Sequence, residues 1–146
     1  AKHNYLKPSD DVIDILNFLK RIPVIKGIIS DGLSIKQAEK LIRLKIYNYF
    51  NPQAIFISEQ IGISKKSSRI YSYVCKELNV LPEEIIYIGN HPEKDIDTAN
   101  QIGMITVRIR KGKKKDLNSK TAPCHDIQNF YELKTILQEV YSFSYE

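Results

Sequence analysis

The stretch that decides the fold is Ile85-Ile86-Tyr87-Ile88-Gly89-Asn90-His91-Pro92-Glu93-Lys94-Asp95, continuing through Ile96 and Ala99 to Gly103. A short apolar run bounded by turn residues reads as a buried strand. Gly89-Asn90-His91-Pro92 is a turn signal. The following segment reads as a short helix, and Gly103 suits a left-handed C-cap. Ile105-Thr106-Val107-Arg108-Ile109 then reads as another strand. Strand, helix and strand in succession imply a parallel crossover, because a tight hairpin can join only antiparallel strands.

The same alternation runs outward in both directions. Ser9-Asp10-Asp11 caps a helix whose Val12, Ile15, Leu16 and Leu19 share one face, and Pro23 follows its end. Residues 24–29, Val-Ile-Lys-Gly-Ile-Ile, read as a strand that stops at Ser30-Asp31-Gly32. A helix burying Ile35, Ala38, Leu41 and Ile42 comes next, then a strand Ala54-Ile55-Phe56-Ile57. A polar loop spans 58–67, and a third helix turns Tyr71, Val74, Cys75 and Leu78 inward. After the 105–109 strand comes a basic loop, then a last helix with Phe130, Leu133, Leu137 and Val140 inward. The expected fold class is α/β, a Rossmann-like, mostly parallel sheet flanked by helices. With 146 residues, 42% of them apolar, the expectation is one domain over 1–146.

Composition excludes several classes. No apolar run approaches the ~20 residues of a membrane-spanning helix, and the N-terminal Ala1-Lys2-His3-Asn4-Tyr5 lacks a signal-peptide pattern. Cys75 and Cys124 lie far apart and outside any CxxC pair, so a reduced, cytoplasmic protein is expected. The net charge of +5 is concentrated in Arg108, Arg110, Lys111, Lys113, Lys114 and Lys115. No aromatic or groove-reading module accompanies these charges, so they read as a solvated loop rather than a nucleic-acid site. Docking on an acidic partner is the alternative reading of that loop.

In open parallel sheets, ligands bind beyond the carboxyl ends of the strands. Ser30, Asp31 and Gly32 follow the first strand, Lys65 and Lys66 come after the second, and Gly89, Asn90 and Asp95 follow the third. A hydroxyl, backbone N–H groups and an ammonium all bind phosphate oxygens, while a carboxylate and an amide oxygen suit Mg²⁺. Each residue has an ordinary role as well: Ser30 and Gly89 in turns, Lys65 in solvent, Asp95 at a helix start. Their joint order points to phosphate chemistry.

These segments resemble the haloacid-dehalogenase-like (HAD) superfamily of phosphohydrolases, in its phosphoglycolate-phosphatase-like branch. Gly27-Ile28-Ile29-Ser30-Asp31-Gly32 matches the family's second motif. Ser58-Glu59-Gln60-Ile61-Gly62-Ile63-Ser64-Lys65 matches the third, although Lys66 replaces the usual proline. Residues 86–95 match the fourth, except that Asn90 stands where the family has Asp. The resemblance covers residues 8–140. It implies a Mg²⁺-dependent small-molecule phosphatase working through an aspartyl-phosphate. Ser30, the Asp31 backbone N–H and Gly32 would bind the phosphoryl group. Lys65 would be the catalytic cation, offsetting charge there. Asn90 and Asp95 would serve the metal, Asp95 from its outer shell.

The family's first motif, Asp-x-Asp at the end of a central strand, has no counterpart. Asp95-Ile96-Asp97 has the spacing, but no apolar strand leads into it. Three expectations follow. The chain alone is inactive; the sheet lacks the family's first, central strand; and an N-terminal segment or a second copy could fill that place. A phosphorylated metabolite is the expected ligand. The alternative is a degenerate, non-catalytic domain that binds a phosphorylated ligand or a partner protein.

Overall fold

A computed structural model describes residues 8–30 and 47–144. The chain divides into two compact units, residues 1–60 with 130–146, and residues 61–129. All described strand pairs are parallel, in two sheets of order β1-β2 and β3-β4-β5. The expected helix carrying Ile35, Ala38, Leu41 and Ile42 lies outside the described residues, as do Asp31 and Gly32.

The first unit contains helix α1 (Asp10–Lys20), strands β1 (Ile28–Ser30) and β2 (Ile55–Ile57), and helix α5 (Phe130–Glu139). α1 buries Ile15, Leu16 and Phe18, and α5 buries Leu133 and Leu137. Leu19 is only partly buried, so Phe18 takes the inward position expected of it. The two helices are joined at their starts by Asp11, which is itself buried. Its Oδ2 accepts the Phe130 N–H at 2.8 Å, and its Oδ1 accepts the Ser9 hydroxyl at 2.5 Å. Asp11 thereby satisfies a first-turn donor of α5.

β1 starts later than the apolar run suggests. Lys26 donates its N–H to Asn51 Oδ1 at 2.8 Å and accepts the Asn51 N–H, so these groups are spent on the chain before β2 rather than on a ladder. Gly27 passes so near that chain that a Cβ would lie 2.6 Å from Ala54 O. Ser30 ends the strand, opposite Ile57 and partly buried. At the other end of the unit, α5 stops before Val140, which is 58% exposed rather than inward. Ser142 adopts φ 60°, and Phe143 donates its N–H back to Leu137 O.

Between β2 and the second unit, the expected 58–67 loop begins as a helical turn, α2 (Ser58–Ile61). The second unit holds α3 (Arg69–Leu78), β3 (Ile86–Gly89), α4 (Thr98–Ile102), β4 (Ile105–Ile109) and β5 (His125–Ile127). π-helical turns over Pro92–Asp97 lead into α4, and Gly103 caps it at φ 93°. The core comprises Ile70, Tyr71, Val74, Ile96, Ala99, Val107 and Ile127, all nearly inaccessible. Leu78 is only partly buried. Cys75 is a buried free thiol that burial pushes up, and Cys124 is free and exposed. β5 carries no strand signal of its own, being three residues long with Asp126 in the middle. It pairs in parallel with β4, and Arg110 also grips it, donating Nε and Nη2 to the two Asp126 oxygens at 2.8 and 2.7 Å.

The segment after β4 corrects the picture of a wholly solvated basic loop. Arg108 is fully buried, and its Nη2 donates to Lys114 O at 2.9 Å. Arg110 Nη1 donates to Lys115 O and Leu117 O. Asp97 accepts the Lys120 and Thr121 N–H groups and the Thr121 hydroxyl. The two arginines and Asp97 therefore hold residues 111–121 as a strap, while Lys111, Lys113, Lys114 and Lys115 stay exposed. No described helix is long and apolar enough to cross a membrane.

Two outcomes are expected. Asp11→Ala removes a charged acceptor from the part-buried Phe130 N–H and should lower unfolding free energy in urea by about 1.5–3 kcal/mol. The second concerns pH. Arg110 holds the Asp126 carboxyl below its ordinary value against burial. Burial raises Asp97, but the Thr121 and Lys120 hydrogen bonds outweigh it and leave that carboxyl depressed too. Groups lowered on folding stabilise fully above the unfolded aspartate value of about 4 and lose that contribution as pH falls through the folded values. The Lys120 and Thr121 amide NMR signals should therefore lose exchange protection below about pH 4, the range set by the ordinary aspartate pKa.

Candidate phosphate-handling site

The candidate groups of the second unit meet at Asp95, which is 3% exposed. Its Oδ2 accepts the N–H groups of Asn90 at 3.0 Å and His91 at 2.9 Å. Its Oδ1 accepts the Tyr87 hydroxyl at 3.1 Å and pairs with Lys65 Nζ at 2.5 Å. A buried carboxylate needs such partners, because desolvation otherwise drives it to its neutral form.

Local sequence explains how each donor arrives. Alternation along β3 places Tyr87 and Gly89 on one face. A Cβ on Gly89 would fall 2.4 Å from the Asp95 Cβ, so glycine is required for Asp95 to reach back beneath the loop. The glycine is thus more than a tight turn. His91 caps the following turns, its Nδ1 accepting the Glu93 and Lys94 N–H groups at 3.2 and 3.1 Å. Burial first, and then Lys114 and Lys94, lower the His91 imidazole, which suits a neutral ring accepting at Nδ1.

Tyr87 escaped the sequence reading, since in an apolar run it looks like core. Burial, then the Asp95 charge, then Tyr71 raise its phenol well above the ordinary value, so it remains a donor. Tyr71 meets it edge-on, with ring centroids 5.1 Å apart, and donates its own hydroxyl to Lys94 O at 2.6 Å. Lys65 Nζ lies 5.9 Å from the Tyr87 ring centroid, within cation–π range. The Lys65 side chain is 12% exposed, so it is a held cation rather than a free one.

Asn90 is exposed, and its Nδ2 lies 3.4 Å from Lys111 O, long for a hydrogen bond. Asp97 is taken up by the strap, in keeping with its rejection as a nucleophile motif. Ser30 belongs to the other unit, at the carboxyl end of β1. The structure therefore brings Lys65 and Asp95 together, with Asn90 joined through its backbone N–H.

By themselves these groups make a poor Mg²⁺ site. Both Asp95 oxygens are taken by four donors, one of them an ammonium, and Asn90 offers one neutral oxygen where a hard divalent cation wants several, with charge among them. Among the described residues no group of three or more His, Cys, Asp or Glu side chains is placed to hold a metal ion.

The haloacid dehalogenase-like hydrolase family model matches residues 1–109. The chain is 41% identical over 143 residues to the glyceraldehyde 3-phosphate phosphatase of Methanopyrus kandleri, covering 96% of this chain and 60% of that one. It is 38% identical over 135 residues to the enzyme of the same name from Methanocaldococcus jannaschii, with 92% and 58% covered. The chain thus spans about 60% of the length of these curated relatives. Among solved structures, a HAD phosphatase from Thermococcus onnurineus superposes with a TM-score of 0.74 at 25% identity, over 88% of this chain and 57% of that one. A HAD-hydrolase of Bacillus subtilis, described as bound to magnesium, gives 0.74 at 23% identity, over 88% and 55%. The Gly89-to-Asp95 loop and its lysine partner are thus found in a chain that belongs to the haloacid dehalogenase-like hydrolase family.

Proposed function

We propose that this chain is the charge-compensating and phosphoryl-binding portion of a phosphatase acting on a small phosphorylated metabolite. The observation that carries this is the Lys65 ammonium, paired with the buried Asp95 carboxylate, which also accepts the Tyr87 hydroxyl, beside the carboxyl end of β3. A fixed cation offsets charge on a phosphoryl group without reorganising during reaction. In this reading Lys65 is the catalytic cation, and the family resemblance assigns Ser30, the Asp31 N–H and Gly32 to the phosphoryl group. The names of the relatives, glyceraldehyde 3-phosphate phosphatase, favour a three-carbon sugar phosphate as substrate.

The proposed reaction needs a carboxylate nucleophile to form the aspartyl-phosphate, and none of the residues named here supplies it. Mg²⁺, where bound, would neutralise phosphoryl charge. Asn90 is the residue best placed to add an oxygen ligand, with Asp95 acting through the loop it holds. The saturated Asp95 and the neutral Asn90 also favour a second reading, a domain that binds a phosphorylated ligand without turning it over.

Two experiments test the proposal. The chain with Mg²⁺ and an aryl phosphate should show turnover equal to buffer, while binding of a phosphomonoester should weaken about tenfold in Lys65→Ala, as loss of one charge-assisted contact implies. Turnover that vanishes in that variant would reveal a nucleophile within the chain; unchanged binding would remove Lys65 from the site. Separately, Asn90→Asp should tighten Mg²⁺ binding roughly tenfold by adding a charged oxygen ligand. An unchanged titration would argue against a ligand role for position 90.

A further inference from the structure

We propose that Arg108, together with the strap that closes over it, forms a binding site for a small phosphate-like oxyanion. This inference does not rest on the role assigned to Lys65. Arg108 is 0% exposed, near the end of β4, with Gly89 and Asp126 as its register partners on either side. Its Nη2 has Lys114 O as acceptor, but Nε and Nη1 are buried with no hydrogen-bond partner. Burial and then the neighbouring Arg110 pull the guanidinium below its ordinary value, opposed by Asp126 and Asp97.

Neither carboxylate is available to neutralise it directly. Asp126 gives both oxygens to Arg110. Asp97 gives both of its own to Lys120 and Thr121. A guanidinium does not deprotonate at neutral pH, so its burial is relieved only by acceptor oxygens. Water supplies an acceptor without charge, whereas an oxyanion supplies both. The surroundings favour the anion: Lys111, Lys113, Lys114, Lys115 and Lys120 are exposed on the strap and concentrate anions there. The strap is also the route in. Residues 111–118 are exposed, so an anion approaches Arg108 from that side.

The test uses inorganic phosphate at constant ionic strength. Calorimetric titration of the Lys65→Ala chain, which lacks the cation of the proposed phosphoryl site, should still show phosphate binding. Adding Arg108→Met to that background should weaken it more than tenfold. Phosphate should raise the melting temperature of Lys65→Ala but not of the double variant. Should the double variant fail to fold, the Arg108 Nε–H resonance of the unsubstituted chain decides, and it should move with phosphate and not with chloride. A silent Arg108 resonance, equal binding with and without Arg108, or stabilisation matched by sodium chloride would each overturn the proposal. Loss of all phosphate binding in Lys65→Ala would also overturn it, while supporting the role of Lys65.

Discussion

A single buried carboxylate organises the candidate site. At 3% exposure the Asp95 oxygens need donors, and the chain supplies them from three places. The turn after β3 contributes two N–H groups, β3 contributes the Tyr87 hydroxyl, and the segment before α3 contributes Lys65. Each donor imposes its own condition. Gly89 must lack a side chain, Tyr87 must stay protonated, and Tyr71 must pack beside it. Lys65 is thereby fixed by the same group that shapes the loop, so the position of the cation and the conformation of the turn are coupled.

A second electrostatic system lies on the other side of β4, and it explains how the positive charge is distributed. Arg110 links the strap to β5 through Asp126, and Asp97 links it to the start of α4. The lysines remain outside. Burial separates two kinds of cation that look alike in sequence: a planar guanidinium that serves several acceptors at once, and an ammonium that stays hydrated.

The motif-bearing strands β1 and β3 each have one neighbour within their sheet, β2 and β4 respectively. Among the described residues, neither has a partner on its other edge. The chain also spans about 60% of its curated relatives.

Much of the fold was legible in the sequence because apolar runs and turn residues act locally. The strand 105–109, the Gly103 cap and the inward Tyr71, Val74 and Cys75 follow from periodicity and glycine chemistry. Order along the chain also picked out Lys65 and Asp95 together. Other features depend on partners distant in sequence. Asp11 is a helix-start residue until Phe130 reaches it, β5 is a strand only beside β4, and Tyr87 is an ordinary core aromatic until Asp95 lies beneath it. Local pattern was enough to place most strands and helices and the charged residues that stand after them. Tertiary structure alone decided which of those charges are buried and paired, because desolvation and hydrogen bonding depend on neighbours that spacing along a chain does not specify.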